Sequence, residues 1–111
     1  MQAYAIAQLS RVTTNDDLVT YLKRIDATLA PFDGRFIIHG GPQDVKEGVS
    51  NGDVIIVAFP SMLAAQEWYA SPAYQVLIPL RTANAEGSVI LIEGVGLDHR
   101  ATDILPPELL T

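Results

Sequence analysis

The sequence predicts an α+β fold in which one antiparallel sheet is covered on a single face by helices. Three observations predict this class. Strand-like apolar or alternating patterns occur at four main places, helical segments separate them in the order β-α-β-β-α-β, and 111 residues with 49% hydrophobic content suffice for one domain with a core. There are no cysteines, which excludes disulfides, thiolate metal sites and a cysteine nucleophile.

The first half of the chain supplies a strand and a long helix. Ala3–Ser10 alternates and predicts the strand. Thr13, Thr14 and Asn15 are candidate N-caps for the helix that follows. Apolar residues then recur at helical spacing, and the stripe consists of Leu18, Tyr21, Leu22, Ile25, Leu29 and Phe32. Pro31 and the Asp33-Gly34 turn end this helix.

The second half supplies the remaining strands and a divided helical region. Strands are predicted at Arg35–His39, Val54–Phe59 and Ser88–Glu93, with a polar, edge-like extended segment over Gln43–Val49. Ser61 caps one helix, and Ser71-Pro72 begins another segment that runs towards Ala85. Pro79 should kink or divide that segment.

This order is the split β-α-β, ferredoxin-like plan, which leaves one face of the sheet without cover. Strict alternation assigns the helix-covered face to Ala3, Ala5, Ala7, Phe36, Ile38, Ser88, Ile90 and Ile92. It assigns the open face to Tyr4, Ile6, Gln8, Arg35, Ile37, His39, Val89, Leu91 and Glu93. Because a large exposed apolar face usually marks an interface, the sequence predicts a homodimer formed through this open face.

The charge balance narrows the class of partner. Thirteen acidic against seven basic residues give a net charge of −6, which argues against nucleic acid and against an anionic membrane surface. The longest apolar stretches, Val54–Pro60 and Val89–Ile92, are far shorter than the roughly 20 residues that span a bilayer. We expect a cytoplasmic protein with no membrane partner.

The last segment, residues 95–111, is predicted to be an arm outside the domain formed by residues 1–94. Pro106-Pro107 favours an extended path. Four large aliphatic residues, Ile104, Leu105, Leu109 and Leu110, lie within seven positions, which is unusual for a solvated tail. We expect the arm to dock on the dimer partner, the alternative being a frayed terminus.

Two motifs resemble a known bacterial family. Gly34 to Pro42 reads GRFIIHGGP and resembles a G-R-F-x-x-x-G-G-P signature. The second motif consists of Phe59-Pro60-Ser61, Ala64-Ala65, Trp68-Tyr69, Ser71-Pro72-Ala73-Tyr74-Gln75 and Pro79-Leu80-Arg81. Together they resemble the family called domain of unknown function 1330, which belongs to the dimeric α+β barrel superfamily. The resemblance implies that fold and a dimer with facing sheets; it implies no particular reaction.

Candidate site residues follow from the open face and the second motif. His39 and Glu93 are the candidate catalytic pair, because a carboxylate can orient an imidazole for proton transfer; alternatively His39 caps a strand end and Glu93 pairs with Arg35 or Lys46. Arg35 is a candidate for holding an anion, or an ion-pair partner within the sheet. The further candidate substrate-binding residues are Gln8, Tyr4, Trp68, Tyr74 and Arg81. Core packing is the alternative role for Trp68, and a structural contact is the alternative for Tyr74 and Arg81.

No metal site or cofactor is expected. The two histidines, His39 and His99, are far apart in sequence and lack the spacing of a metal motif. At the level of the superfamily, the resemblance implies related barrels that include monooxygenases and isomerases acting on small aromatic or enolisable compounds. The sequence therefore leaves three hypotheses open: a small cofactor-free enzyme of this kind, a ligand-binding module without turnover, and a purely structural dimer.

Overall fold

The computed structural model describes residues 1–110 and confirms the predicted ferredoxin-like α+β class. Its elements are β1 Ala3–Ser10, α1 Asp16–Leu29, β2 Arg35–His39, β3 Asp53–Phe59, α2 Met62–Ala70, α3 Pro72–Gln75, α4 Ile78–Thr82 and β4 Glu86–Glu93. The four strands form one antiparallel sheet in the order β2-β3-β1-β4. The helices lie on one face of the sheet, where α2 packs against β1, β3 and β4 and α1 contributes Tyr21, Ile25 and Leu29 to the same core.

Helix α1 forms where the capping and apolar patterns predict it. The Asn15 side chain accepts a hydrogen bond of 3.1 Å from the Leu18 backbone N–H, and two acidic residues follow in the first turn, where the helix dipole favours negative charge. The buried stripe includes Tyr21 and Ile25. A 3₁₀ turn ends the helix, and Asp33 then adopts a left-handed conformation at φ 55°.

The second helical region is divided, as predicted. Ser61 caps α2 through a 3.1 Å bond from the Ala64 N–H, and Ser71 caps α3. The break between α3 and α4 falls at residues 76–77, just before Pro79, which occupies the first turn of α4. A proline is tolerated there because the first N–H groups of a helix have no partner within the helix.

The predicted edge strand over Gln43–Val49 is wrong. This segment is irregular and every one of its residues is exposed. The Gln43 side chain instead donates a 2.8 Å hydrogen bond to the Gly52 carbonyl, and Val45 and Val49 face solvent. Since no apolar side chain of the segment reaches the core, nothing fixes it against the sheet.

Alternation correctly assigns the faces of β1, but in β4 it places each side chain on the wrong face of the sheet. Directly paired residues share a face, and Ala5 pairs with Leu91 while Ile6 pairs with Ile90. Leu91 and Val89 therefore face the helices, whereas Ile90 and Ile92 are 51% and 46% exposed on the open face. Four consecutive apolar residues carry no alternation from which the phase could be read.

Strand β2 departs from alternation because it contains a bulge. Phe36 pairs with Val57, but Ile38 already pairs with Ile56, so Ile37 is one extra residue. The side chains after it are shifted to the opposite face. Ile38 therefore lies on the open face and His39 on the helix side, the reverse of the sequence prediction.

Beyond β4, the arm projects away from the domain. Residues 95–110 are all exposed and form two short 3₁₀ turns, Ala101–Ile104 and Pro107–Leu109. The radius of gyration is 16.4 Å, against roughly 13 Å for a compact chain of this length. Docking of the arm on a partner stays a prediction, and Thr111 lies outside the described residues.

Within residues 1–110 no helix combines the length and apolar character needed to cross a membrane.

Candidate active-site cavity

A cavity of about 330 Å³ lies between the sheet and the helices, on the covered face. Its sheet wall is apolar and includes Ala5, Ala7, Ile55, Val57 and Val89. Its helix wall and inner end are formed by Leu18, Tyr21, Leu22, Ile25, Trp68, Tyr74 and Arg81. The volume is in the range of small-molecule sites, which are concave and mostly apolar with a few polar groups.

Three aromatic side chains form the inner end of the cavity. Trp68 is 2% exposed, and its ring centroid lies 4.1 Å from that of Tyr74. The Trp68 indole N–H donates to the Thr28 hydroxyl at 3.0 Å, and this hydroxyl donates to the Ile25 carbonyl. The Trp68 ring is therefore fixed at one end by a hydrogen bond and on its faces by packing.

Tyr21 and Tyr74 join their hydroxyl groups across the same end of the cavity. The two hydroxyl oxygens are 2.7 Å apart and buried, and the rings meet edge to face with centroids 6.2 Å apart. Burial raises the pKa of Tyr21 well above its ordinary value, and the neighbouring Tyr74 oxygen raises it further. Tyr21 is consequently a neutral hydroxyl near neutral pH, able both to donate and to accept a hydrogen bond.

Arg81 is the buried cation of the cavity. It is 8% exposed, and its Nε has no hydrogen-bond partner. Burial by itself would lower the pKa of Arg81, but the Tyr74 and Tyr21 oxygens beside it outweigh that effect and raise its pKa. A permanently charged guanidinium therefore stands among neutral groups.

His39 lies at the mouth of the cavity. Its ring stacks on Phe36 with centroids 4.5 Å apart and planes 11° from parallel. Residues three apart in a regular strand point to opposite faces, so this stack exists because of the bulge at Ile37. Asp53 and Gly40 border the same mouth.

The structure brings four of the predicted site residues together, and it separates the other four from them. His39, Trp68, Tyr74 and Arg81 line the cavity. Tyr4, Gln8 and Arg35 lie on the open face with Ala58 and Val54 as their strand neighbours, so the predicted grouping of His39 with these three residues is wrong. The physical reason is the bulge, which turns His39 away from them.

The predicted pairing of His39 with Glu93 is also wrong. His39 on the edge strand β2 pairs with Ile55, whereas Glu93 on the opposite edge strand, β4, pairs with Ala3, which in turn pairs with Phe59. Four positions along a strand and three strand spacings separate them, which is roughly 20 Å. Glu93 also forms no salt bridge with Arg35 or Lys46 within residues 1–110.

Sequence reasoning missed Tyr21 as a site residue. Its place in the apolar stripe of α1 predicts burial, and Tyr21 is indeed buried. The signal that could have found it is its hydroxyl group, the one polar atom in an otherwise hydrocarbon stripe, since such a group needs a buried partner. Among the described residues, no group of three His, Asp or Glu side chains could hold a metal ion.

Solved structures share this fold at low sequence identity. A protein of unknown function from Rhodopseudomonas palustris is 16% identical, with a TM-score of 0.65 over 86% of this chain and 83% of that one. A dimeric ferredoxin-like protein of unknown function from a Jannaschia species is 15% identical, with a TM-score of 0.64 over 85% of this chain and 100% of that one. SnoaB, a cofactor-independent oxygenase from Streptomyces nogalater, is 14% identical, with a TM-score of 0.61 over 88% and 98%.

No protein of curated function matches the sequence. The family model described as domain of unknown function 1330 matches residues 2–95, which include every strand and helix of the domain and leave residues 96–111 of the arm outside. The chain therefore belongs to this family of domains of unknown function.

Proposed function

We propose that the protein is a small cofactor-free enzyme, monooxygenase- or isomerase-like, that acts on a small aromatic or enolisable compound in the covered-face cavity. One observation carries the proposal: a largely apolar cavity joins an aromatic inner end to an imidazole at its mouth. A flat ring fits against Trp68 and Tyr74, and His39 is within the same cavity to accept a proton.

The chemistry that this arrangement supports begins with proton removal. His39 takes a proton from an acidic C–H of the bound compound and leaves a carbanion or enolate. In an isomerisation the imidazolium returns the proton to a different carbon, and no other reactant is needed. In an oxygenation, dioxygen is the oxidant: a CH₂ group and O₂ become a carbonyl group and water. The cofactor-independent oxygenase that shares the fold supports the second reaction class.

A ligand-binding module without turnover is the second candidate function. The observation that favours it is the position of Glu93, which lies too far from His39 to orient the imidazole. Asp53 also borders the mouth, but no salt bridge joins it to His39 within residues 1–110.

We also propose that the protein works as a homodimer through the open face of its sheet. Ile38, Ile90 and Ile92 are each more than 40% exposed there, and Ile38 pairs with Ile56 while Ile90 pairs with Ile6. The dimeric protein of the same fold supports this assembly. A purely structural dimer would have the same interface but would bind no ligand in the cavity.

A ligand screen followed by turnover assays tests the function. We expect small phenols, lactones or aromatic acids to raise the melting temperature, and the hits to be converted with or without oxygen. His39→Gln should abolish conversion while the hits still bind, whereas His99→Gln, a matched change in the exposed arm, should convert them like the wild type. Binding without conversion supports the ligand-binding module, and the absence of any hit supports the structural dimer.

A further inference from the structure

We infer that Arg81 is the binding group for an oxyanion on the ligand, so that the cavity takes a planar, mostly apolar molecule with a single carboxylate or phenolate. The inference deepens the proposed function and rests on the cavity being the ligand site. It assigns a role to the one feature of the cavity that proton transfer at His39 leaves unexplained, namely a buried positive charge.

The guanidinium of Arg81 is a buried charge. Only 8% of the Arg81 surface is exposed, and its Nε has no hydrogen-bond partner. Within residues 1–110 the salt bridges join Arg11 to Glu86, Lys46 to Asp44 and His99 to Asp103, and none includes Arg81. Buried charges are nearly always paired, because removing them from water is costly. This one lacks its counter-charge.

The neighbours of Arg81 cannot supply the missing negative charge. Tyr21 and Tyr74 lie beside the guanidinium, but Tyr21 is held neutral by burial and by its contact with Tyr74. The acidic residue that borders the cavity, Asp53, is exposed at the mouth. The inner end of the cavity therefore keeps a net positive charge, together with a hydroxyl pair that can donate a hydrogen bond to an oxyanion.

The cavity walls determine the character of the rest of the ligand. The walls between Arg81 and the mouth are aliphatic or aromatic, with Ala5, Val57 and Ile25 among them. A volume of about 330 Å³ accommodates a molecule of one or two rings. A ligand matched to this cavity has an apolar body and one negative group placed at its inner end.

A pair of isosteric probes tests the inference. Cinnamate and cinnamamide have the same shape and differ in charge. Trp68 is the single tryptophan of the chain and lines the cavity, so its emission reports binding there, and calorimetry gives the affinities. We expect cinnamate to bind about ten-fold or more tightly than the amide, as a charge-assisted contact in a buried site would provide.

Two variants assign that preference to Arg81. Arg81→Gln should reduce cinnamate affinity to that of the amide, and Arg81→Lys should retain part of the preference. Arg24→Gln is the matched control, because it removes the same charge from the exposed side of α1, and it should bind like the wild type. Should Arg81→Gln fail to fold, the comparison of cinnamate with cinnamamide on the wild-type protein still shows whether the cavity prefers an oxyanion.

The outcomes separate this inference from the proposed function. Equal binding of acid and amide, each with a change in Trp68 emission, overturns the oxyanion site and leaves the cavity as the ligand site. Failure of both probes to change Trp68 emission or to bind by calorimetry overturns the inference and the proposed cavity together. A preference for the acid that survives in Arg81→Gln also overturns the assignment to Arg81.

Discussion

Tyr21 places one buried hydroxyl group in the apolar stripe of α1. Helical periodicity predicts that this side chain is buried, and it is. Periodicity does not predict the partner, because Tyr74 is 53 residues away and reaches Tyr21 only through the folding of α3 against α1. The same limit applies to Arg81. Its residue type and motif made it a candidate, but its burial without a counter-charge is visible only in three dimensions.

Because the pKa of Tyr21 is raised, the stability of the protein should decrease with pH in the alkaline range. The folded value lies above the unfolded value of about 10. The stabilisation is therefore complete below pH 10 and is lost as the pH rises above it. We expect the free energy of unfolding, measured by urea titration from pH 8.5 to 11, to fall more steeply in the wild type than in Tyr21→Phe.

At neutral pH, Tyr21→Phe should itself be less stable by about 1 kcal/mol, because the hydrogen bond to Tyr74 is lost. Tyr4→Phe is the control, since the Tyr4 hydroxyl bonds only to Gln2 on the exposed part of the chain, and it should keep the wild-type slope. Parallel slopes for the wild type and Tyr21→Phe would contradict the prediction.

Strands β2 and β4 show where alternation ceases to predict an element's faces. Order, type and approximate bounds of the main elements follow from apolar patterns and capping residues, and the structure confirms them. The apolar run of β4 has no alternation of polar and apolar residues, so it does not indicate which side chains face the helices. The bulge of β2 adds one residue without any glycine or proline to mark it. These two elements decide which side chains enter the cavity, so the candidate site was less predictable than the fold.

Within β4, Gly87 is the position at which a side chain is least compatible with the sheet. It has φ 141°, and a Cβ there would lie 1.8 Å from the Gln8 carbonyl oxygen of β1. Because backbone must move to make room, we expect Gly87→Ala to lower the free energy of unfolding by about 2 kcal/mol or more, measured by urea denaturation.

Gly41→Ala is the matched control for Gly87→Ala. The chain turns sharply at Gly40-Gly41, and a turn of this kind favours a positive φ at one of its two glycines. The structure places that conformation at Gly40, with φ 66°, and finds nothing within 4 Å of a Cβ at Gly41. Gly41→Ala should therefore unfold like the wild type, and equal losses for the two variants would refute this account.

For the whole molecule, the open face predicts self-association. Roughly 25 cal/mol is gained for each Å² of apolar surface removed from water, and Ile90 is 51% exposed on this face, where it pairs with Ile6. We expect wild-type protein to sediment as a dimer at micromolar concentration and Ile90→Asp to sediment as a monomer. Leu63→Asp, at a still more exposed apolar residue of α2, should stay dimeric; a monomeric wild type would refute the interface.

The arm is the second structural feature that predicts a partner copy. Leu97, Ile104 and Leu109 are 106%, 79% and 62% exposed, and the last backbone hydrogen bond between this part of the chain and the domain is that of Gly94 with Gln2. Gly94 directly follows β4, whose Ile92 belongs to the proposed dimer face. An arm that begins beside this face and exposes aliphatic side chains is expected to cover the second subunit, because its own domain does not bury them.

Deletion of residues 97–111 tests this expectation. If the arm crosses to the second subunit, its loss removes several buried aliphatic contacts, each worth about 1–2 kcal/mol, and should raise the dimer dissociation constant by at least about ten-fold. The deletion should leave the isolated domain folded, because every strand and helix of the sheet domain ends before it.

Asp98→Ala is the control for the deletion, since it changes an exposed polar residue of the arm without removing apolar surface. Sedimentation equilibrium measures the dissociation constant, and an unchanged value together with an unchanged melting temperature would show that the arm is not a structural part of the dimer.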